Sequence, residues 1–137
     1  KLKFHDENVL EELELEAYNS EHLTEILGME NSSIRVGKVK TLNLVGHAVR
    51  ILPKLRMHEE NAIEELVLSP YYPENITEIL KEENNSIWVG KMKRLELIRH
   101  AVRILPKLKF HDENVLEELE LEAYNSEHLT EILGMEN

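Results

Sequence analysis

Cysteine is absent from the 137 residues, which excludes a disulfide framework, a cysteine-based zinc site and a thiol nucleophile. That composition suits a reducing compartment. No apolar run approaches the ~18–20 residues that span a bilayer, so no membrane partner is expected. Nothing near the first residues resembles a signal peptide. The expected location is cytoplasmic, with a removed leader left open because the first residue is Lys1 and not Met. Motifs of the GxSxG or HExxH kind and Gly-rich phosphate loops are lacking as well. The chain therefore reads as non-enzymatic, with no catalytic residues, cofactor or metal. Basic charge is in deficit: the formal net charge of −11 sets a repulsive field against nucleic acid, so DNA or RNA is not an expected partner.

What is present is repetition. Residues 107–137 copy residues 1–31 without a change, and a looser copy begins at Lys54. The chain is a single repeat array over 1–137, with repeat 1 at 1–53, repeat 2 at 54–106 and a partial repeat 3 at 107–137. Self-similarity at a fixed period of this size marks stacked repeat architectures. Each unit there buries its apolar face against its neighbours and needs no central core. A hydrophobic fraction of 42% and a charged fraction of 31% fit a folded chain. Charge alternates by half-repeat: −7 over 1–31, +4 over 32–53, −5 over 54–84, +4 over 85–106 and −7 over 107–137.

Each repeat divides into two halves carrying the spacing L-x-x-L-x-L. The copies are Leu10, Leu13, Leu15; Val39, Leu42, Leu44; Ile63, Leu66, Leu68; Met92, Leu95, Leu97; and Leu116, Leu119, Leu121. The period-2 alternation predicts short strands with one buried face near 11–16, 40–45, 64–69, 93–98 and 117–122. Between them the period changes. Leu23, Ile26 and Leu27 share a helical face behind Asn19 and Ser20, which can cap it. Pro73 replaces Ser20 in the second copy and suits a first helical position. Gly28 suits a helix end, whereas Lys81 in its place lets the second helix run on. The other connector, HAVRILPKL, reads as a helical turn broken near Pro53 and Pro106.

Five such strands, each followed by a helical connector, resemble the leucine-rich repeat superfamily of the long-repeat, ribonuclease-inhibitor-like type, over essentially the whole chain. The family's Asn/Cys position is occupied here by Tyr18, His47, Tyr71, His100 and Tyr124. The resemblance implies an α/β solenoid with one parallel sheet of about five short strands and helices on the opposite face. It also implies a scaffold for protein–protein recognition. ILPKL followed by VLEELELE is similar to the leucine-rich FTH region of nematode F-box proteins and to leucine-rich families of microsporidia. That likeness implies an alternative role, the substrate-recruiting part of a ubiquitin-ligase adaptor. The verbatim 31-residue copy supports another alternative: a structural or engineered repeat building block, or a fragment of a longer array.

In parallel stacking, equivalent positions lie ~4.8 Å apart. One row then reads Glu11, Lys40, Glu64, Lys93, Glu117, alternating in sign, and is expected to stabilise the stacking order through exposed ion pairs. The next reads Glu12, Thr41, Glu65, Arg94, Glu118. Residues 1–53 and 54–106 differ at 21 positions. The core changes conservatively (Leu10 to Ile63, Leu23 to Ile76, Val39 to Met92). The outward strand face changes character: Glu14 to Val67, Glu16 to Ser69, Thr41 to Arg94, Asn43 to Glu96 and Gly46 to Arg99. Val67, Ser69, Arg94, Glu96 and Arg99 are thus the candidate protein-binding residues, with neutral drift the alternative reading. Tyr71, Tyr72 and Trp88 are candidates for an aromatic rim, with local loop packing as the alternative. The acidic outer units favour a partner with basic patches. Uncapped ends predict weak, salt-promoted self-association, because direct stacking would set Glu12 against Glu118.

The equivalent histidines His5, His58 and His111 fall roughly 10 Å apart, too far to share one metal, whose ligands lie ~2 Å from it. Glycosylation sequons at Asn31, Asn75 and Asn84 would matter only in a secreted chain and read as chance products of Asn/Ser-rich loops.

Overall fold

Alternation of apolar and polar residues needs an extended backbone with one face covered, and each L-x-x-L-x-L segment takes that form. The computed structural model describes residues 9–57, 62–114 and 116–122. Its strands are β1 (Val9–Ala17), β2 (Ile34–Val36), β3 (Lys38–Gly46), β4 (Leu55–Met57), β5 (Ala62–Ser69), β6 (Ile87–Ile98), β7 (Leu108–Phe110) and β8 (Glu118–Glu122). Strands β1, β3, β5, β6 and β8 lie side by side in chain order, every pair parallel. They cover the first four stretches that the alternation predicts and all of the fifth but Glu117.

Register follows the repeat. Leu13 pairs with Leu42, Leu42 with Leu66, Leu66 with Leu95 and Leu95 with Leu119. Stacked leucines at the ~4.8 Å spacing of neighbouring strands bury continuously, and Leu42, Leu44, Leu66, Leu68 and Leu97 are fully buried. Each contributes about 1.5–3 kcal/mol through removal from water. The core substitutions Val39 to Met92 and Leu23 to Ile76 occupy buried positions, as their conservative chemistry requires. The side chain of Leu10 lies outside the described residues, as do His5, His58 and Tyr124.

The connectors complete the core. A 3-10 turn at Ser20–Leu23 leads into α1 (Thr24–Leu27), and a matching turn at Pro73–Ile76 leads into α2 (Thr77–Leu80). Asn19 caps the first: its Oδ1 accepts the Glu21 N–H at 3.1 Å. Pro73 opens the second, where a missing N–H leaves nothing unsatisfied. The helix does not run on at Lys81. Gly28 and Lys81 both have φ −83, so nothing at that site calls for glycine. Both helices close in the same way, Met29 N–H onto Ile26 O and Glu82 N–H onto Ile79 O, each at 3.0 Å, and further along the chain Ser32 and Asn85 take φ 59. Their N–H groups bond the carbonyls of Pro53 and Pro106, each at 2.9 Å.

The second connector type also departs from expectation. The 3-10 helices His47–Lys54 and Arg99–Lys107 run through Pro53 and Pro106 without a break. Proline's fixed φ of about −65° falls inside the 3-10 range. Leu55 N–H closes onto Leu52 O across Pro53, and Leu108 onto Leu105 across Pro106. Ala48, Val49, Ile51 and Leu52 of the first, with Ala101, Val102 and Ile104 of the second, pack into the leucine core.

Four short extended segments were not foreseen. Strand β2 pairs with β4, and Ile87–Gly90 at the start of β6 pairs with β7, all in parallel. Each is a single triplet, apolar–polar–apolar in IRV, LRM and LKF and apolar throughout in IWV, too short to stand out beside a helix-prone connector. No helix among the described residues is long and apolar enough to cross a membrane.

Candidate protein-binding face

Because the leucines point to the core, the residues between them point away. Register aligns three outward rows: Glu12, Thr41, Glu65, Arg94, Glu118; then Glu14, Asn43, Val67, Glu96, Glu120; then Glu16 and Val45 beside Ser69, with Ile98 beside Glu122. The sequence-derived row from Glu12 to Glu118 holds at every step. In its neighbouring row, from Glu11 to Glu117, only the first step closes as an ion pair among the described residues, Lys40 Nζ to Glu11 Oε2 at 3.2 Å, with both groups well exposed and therefore worth a few tenths of a kcal/mol, ~1 at most.

Val67, Arg94 and Glu96 meet at the centre of this face. Val67 lies directly beside Glu96, and Arg94 lies between Glu65 and Glu118. A shallow cleft of about 190 Å³ opens there, lined by Glu65, Arg94, Leu95, Glu96, Glu118 and Glu120. Partial burial holds the Glu96 carboxyl above the ordinary carboxylate range, reinforced by the charge and hydrogen bond of Glu120 and by Glu65 and Glu122. One guanidinium among four carboxylates leaves the cleft an anionic surface.

An aromatic group stands beyond the C-terminal ends of β1 and β5. Tyr18 and Tyr71 stack at 5.8 Å between ring centroids, and Tyr72 meets Tyr71 edge-on at 6.3 Å. Tyr71 O–H donates to the Glu16 carboxylate. That bond first, then burial and the Glu16 charge, push the Tyr71 hydroxyl well above its ordinary pKa. The ring of Tyr71 lies where a side chain at Gly46 would be: a Cβ there would sit 2.7 Å from Tyr71 Cε2 and 2.7 Å from the Ala17 carbonyl oxygen. Gly46 also has φ 65, a region open mainly to glycine. It is buried, so the change from Gly46 to Arg99 is not a change on an exposed strand face.

Below the tyrosines lies Asn75, the one buried polar residue of the core among the described residues. Its Oδ1 accepts the N–H groups of Tyr71 and Tyr72, each at 2.9 Å, and its Nδ2 lies 2.9 Å from His47 Nδ1. Two backbone donors settle the orientation of the amide, so Nδ2 donates and the His47 Nδ1 accepts. The neutral ring then carries its proton on Nε2. Sequence reading missed this residue. The signal was the change from His22 to Asn75 between copies, in the first turn of a connector. The Asn75 sequon is closed to a glycan by the same burial. Asn31 and Asn84 lie on the surface, where each Oδ1 accepts from a lysine, Lys54 at 3.1 Å and Lys107 at 2.9 Å.

The remaining candidates separate. Ser69 ends β5 next to the tyrosines. Arg99 follows β6 at φ 57, off the strand and at the head of the 3-10 helix Arg99–Lys107. Trp88 is not part of the aromatic group. It sits nine residues before Leu97, the partner of Leu68, which is roughly 30 Å of extended chain. There it is half-buried and tilts against His111 at 6.0 Å. The His111 turn is itself ordered: His111 N–H bonds Gly90 O at 3.0 Å, and Asn114 Oδ1 accepts from Met92 N–H at 2.8 Å. No group of three or more His, Asp or Glu side chains placed to hold a metal occurs among the described residues.

Compared with protein-family models, curated proteins and solved structures, the chain matches none of them.

Proposed function

We propose that the chain is a non-enzymatic scaffold for protein–protein recognition, a leucine-rich-repeat solenoid that engages its partner across the outward face of the strands. One observation carries this reading. Val67, Arg94 and Glu96, which differ between copies, fall side by side on β5 and β6, and Arg94 and Glu96 line an open, anionic cleft. A shallow face several strands wide suits an extended protein surface better than a small molecule. Its carboxylates favour a partner bearing lysine or arginine, and the exposed rings of Tyr18 and Tyr72 supply apolar contact at the edge.

Replacing Arg94 and Glu96 by Thr and Asn, their counterparts in the first copy, tests it. A partner captured by the chain and identified by cross-linking should bind the variant at least tenfold more weakly, and binding of the parent chain should weaken as salt rises. Equal capture by the variant removes recognition from this face.

The second reading, a structural repeat block, is favoured by the verbatim copy of residues 1–31 at 107–137. It is preferred if no partner is captured at all.

A further inference from the structure

One strand from each of the two identical segments lies at an edge of the same sheet, at opposite sides. Strand β1, from residues 1–31, pairs with β3. Strand β8, from residues 107–137, pairs with β6. The same strand sequence therefore presents one of its edges to β3 in the first case and the other edge to β6 in the second. Strand β5 of the looser copy uses both edges at once, between β3 and β6. Among the described residues, neither β1 nor β8 has a second strand partner in this sheet.

We infer that the chain is built to assemble with further copies of itself by exchange of these segments: residues 107–137 of one copy replace residues 1–31 on β3 of the next. The replacement keeps every residue of the interface. Leu119 and Leu121 meet Leu42 and Leu44 as Leu13 and Leu15 do now, and Glu117 meets Lys40 in place of Glu11. Leu119, 43% exposed at its edge, becomes enclosed as Leu66 is, at 0%.

Charge separates exchange from simple docking of intact ends. Setting β8 directly beside β1 in parallel register places Glu118 on Glu12, Glu120 on Glu14 and Glu122 on Glu16, like charges at ~4.8 Å. Exchange instead sets these glutamates against Thr41, Asn43 and Val45, and Glu117 against a lysine.

The balance of interfaces also favours it. In stacked repeats, stability is a sum of terms for each unit and for each contact between neighbours. Joining two copies by exchange loses one interface on β3 and makes one of identical sequence. One half-unit fewer has to be ordered to hold the same set of contacts, and a half-unit with a single neighbour is the weakest part of an array. Opposing this is the entropy of association, so exchange is driven by concentration. It requires that the β1 half-unit first open, which makes it slow.

The absence of cysteine permits a direct test. Within one chain, positions 40 and 117 are three strand spacings apart, ~14 Å, beyond disulfide reach. Exchange makes them neighbours across two chains. Chains carrying Lys40→Cys with Glu117→Cys are incubated at high concentration in moderate urea, diluted out of it and oxidised. The expected product is a ladder of covalent multimers on non-reducing gels, with far less ladder from Glu11→Cys with Glu117→Cys. The unaltered chain, treated alike, should sediment as oligomers that persist on dilution. Tying β1 to β3 with Glu11→Cys and Lys40→Cys, oxidised while dilute, should abolish those oligomers. Circular dichroism of each reduced protein verifies folding. A ladder formed preferentially through Glu11 and Glu117, oligomers undiminished by the tie, or an unaltered chain that stays monomeric throughout would each overturn the proposal.

Discussion

The side-chain amide of Asn75 donates to Nδ1 of His47 across 2.9 Å, tying the connector after β5 to the connector after β3. With its Oδ1 occupied by two backbone N–H groups, the amide acts as an internal brace between neighbouring half-units.

Removing that brace has a calculable cost. Asn75→Ala leaves two backbone donors and one ring nitrogen unpaired in a site closed to water. Each such group costs about 1–3 kcal/mol. With partial relaxation, the expected loss is about 2–4 kcal/mol in urea denaturation. A loss below ~1 kcal/mol would mean that water enters and replaces the amide.

Gly46 and Arg99 are equivalent in the repeat and opposite in expectation. Gly46→Ala places a methyl carbon 2.7 Å from a carbonyl oxygen and a tyrosine ring in a left-handed conformation, and should destabilise by about 2–4 kcal/mol. Arg99→Gly relieves a strain of about 1–2 kcal/mol while adding backbone freedom to the unfolded chain. It should be neutral or stabilising by up to ~1 kcal/mol. Thermal melts of both variants check the contrast, which fails if Arg99→Gly is the more damaging.

Position in the stack should set the cost of losing a leucine. Leu66 is enclosed by strands on both sides and Leu119 by one. Leu66→Ala should cost about 3–4 kcal/mol through lost burial and the cavity left behind. Leu119→Ala, at 43% exposure, should cost below ~1 kcal/mol at protein concentrations where the chain is a monomer. Equal losses would contradict the one-sided packing of β8.

Glu96 predicts a dependence on pH. Its carboxyl titrates above the usual 4.5, so the folded chain holds the proton more tightly than the unfolded one. The resulting stabilisation is complete below the unfolded value and is lost as pH rises through the folded one. Glu96→Gln should therefore raise the urea midpoint at pH 7 and flatten the decline in stability that begins near pH 4.5. If parent and variant differ by the same amount at pH 4 and pH 7, the carboxyl is not the cause.

Sequence alone determined the five longer strands and their register, because a strict period of two admits one buried face and a long repeat aligns equivalent residues. The adjacency of Val67, Arg94 and Glu96 follows from that arithmetic and was legible before any coordinates. Tertiary structure decided the rest. Whether Trp88 joined Tyr71 depended on β6 extending back to Ile87, which the short triplet IWV does not announce. The tyrosine over Gly46 and the amide of Asn75 depended on which distant turn arrived beside which. Local pattern records how a residue relates to its own strand or helix. It does not record the path of a connector, and at the strand ends it is the connectors that bring these side chains together.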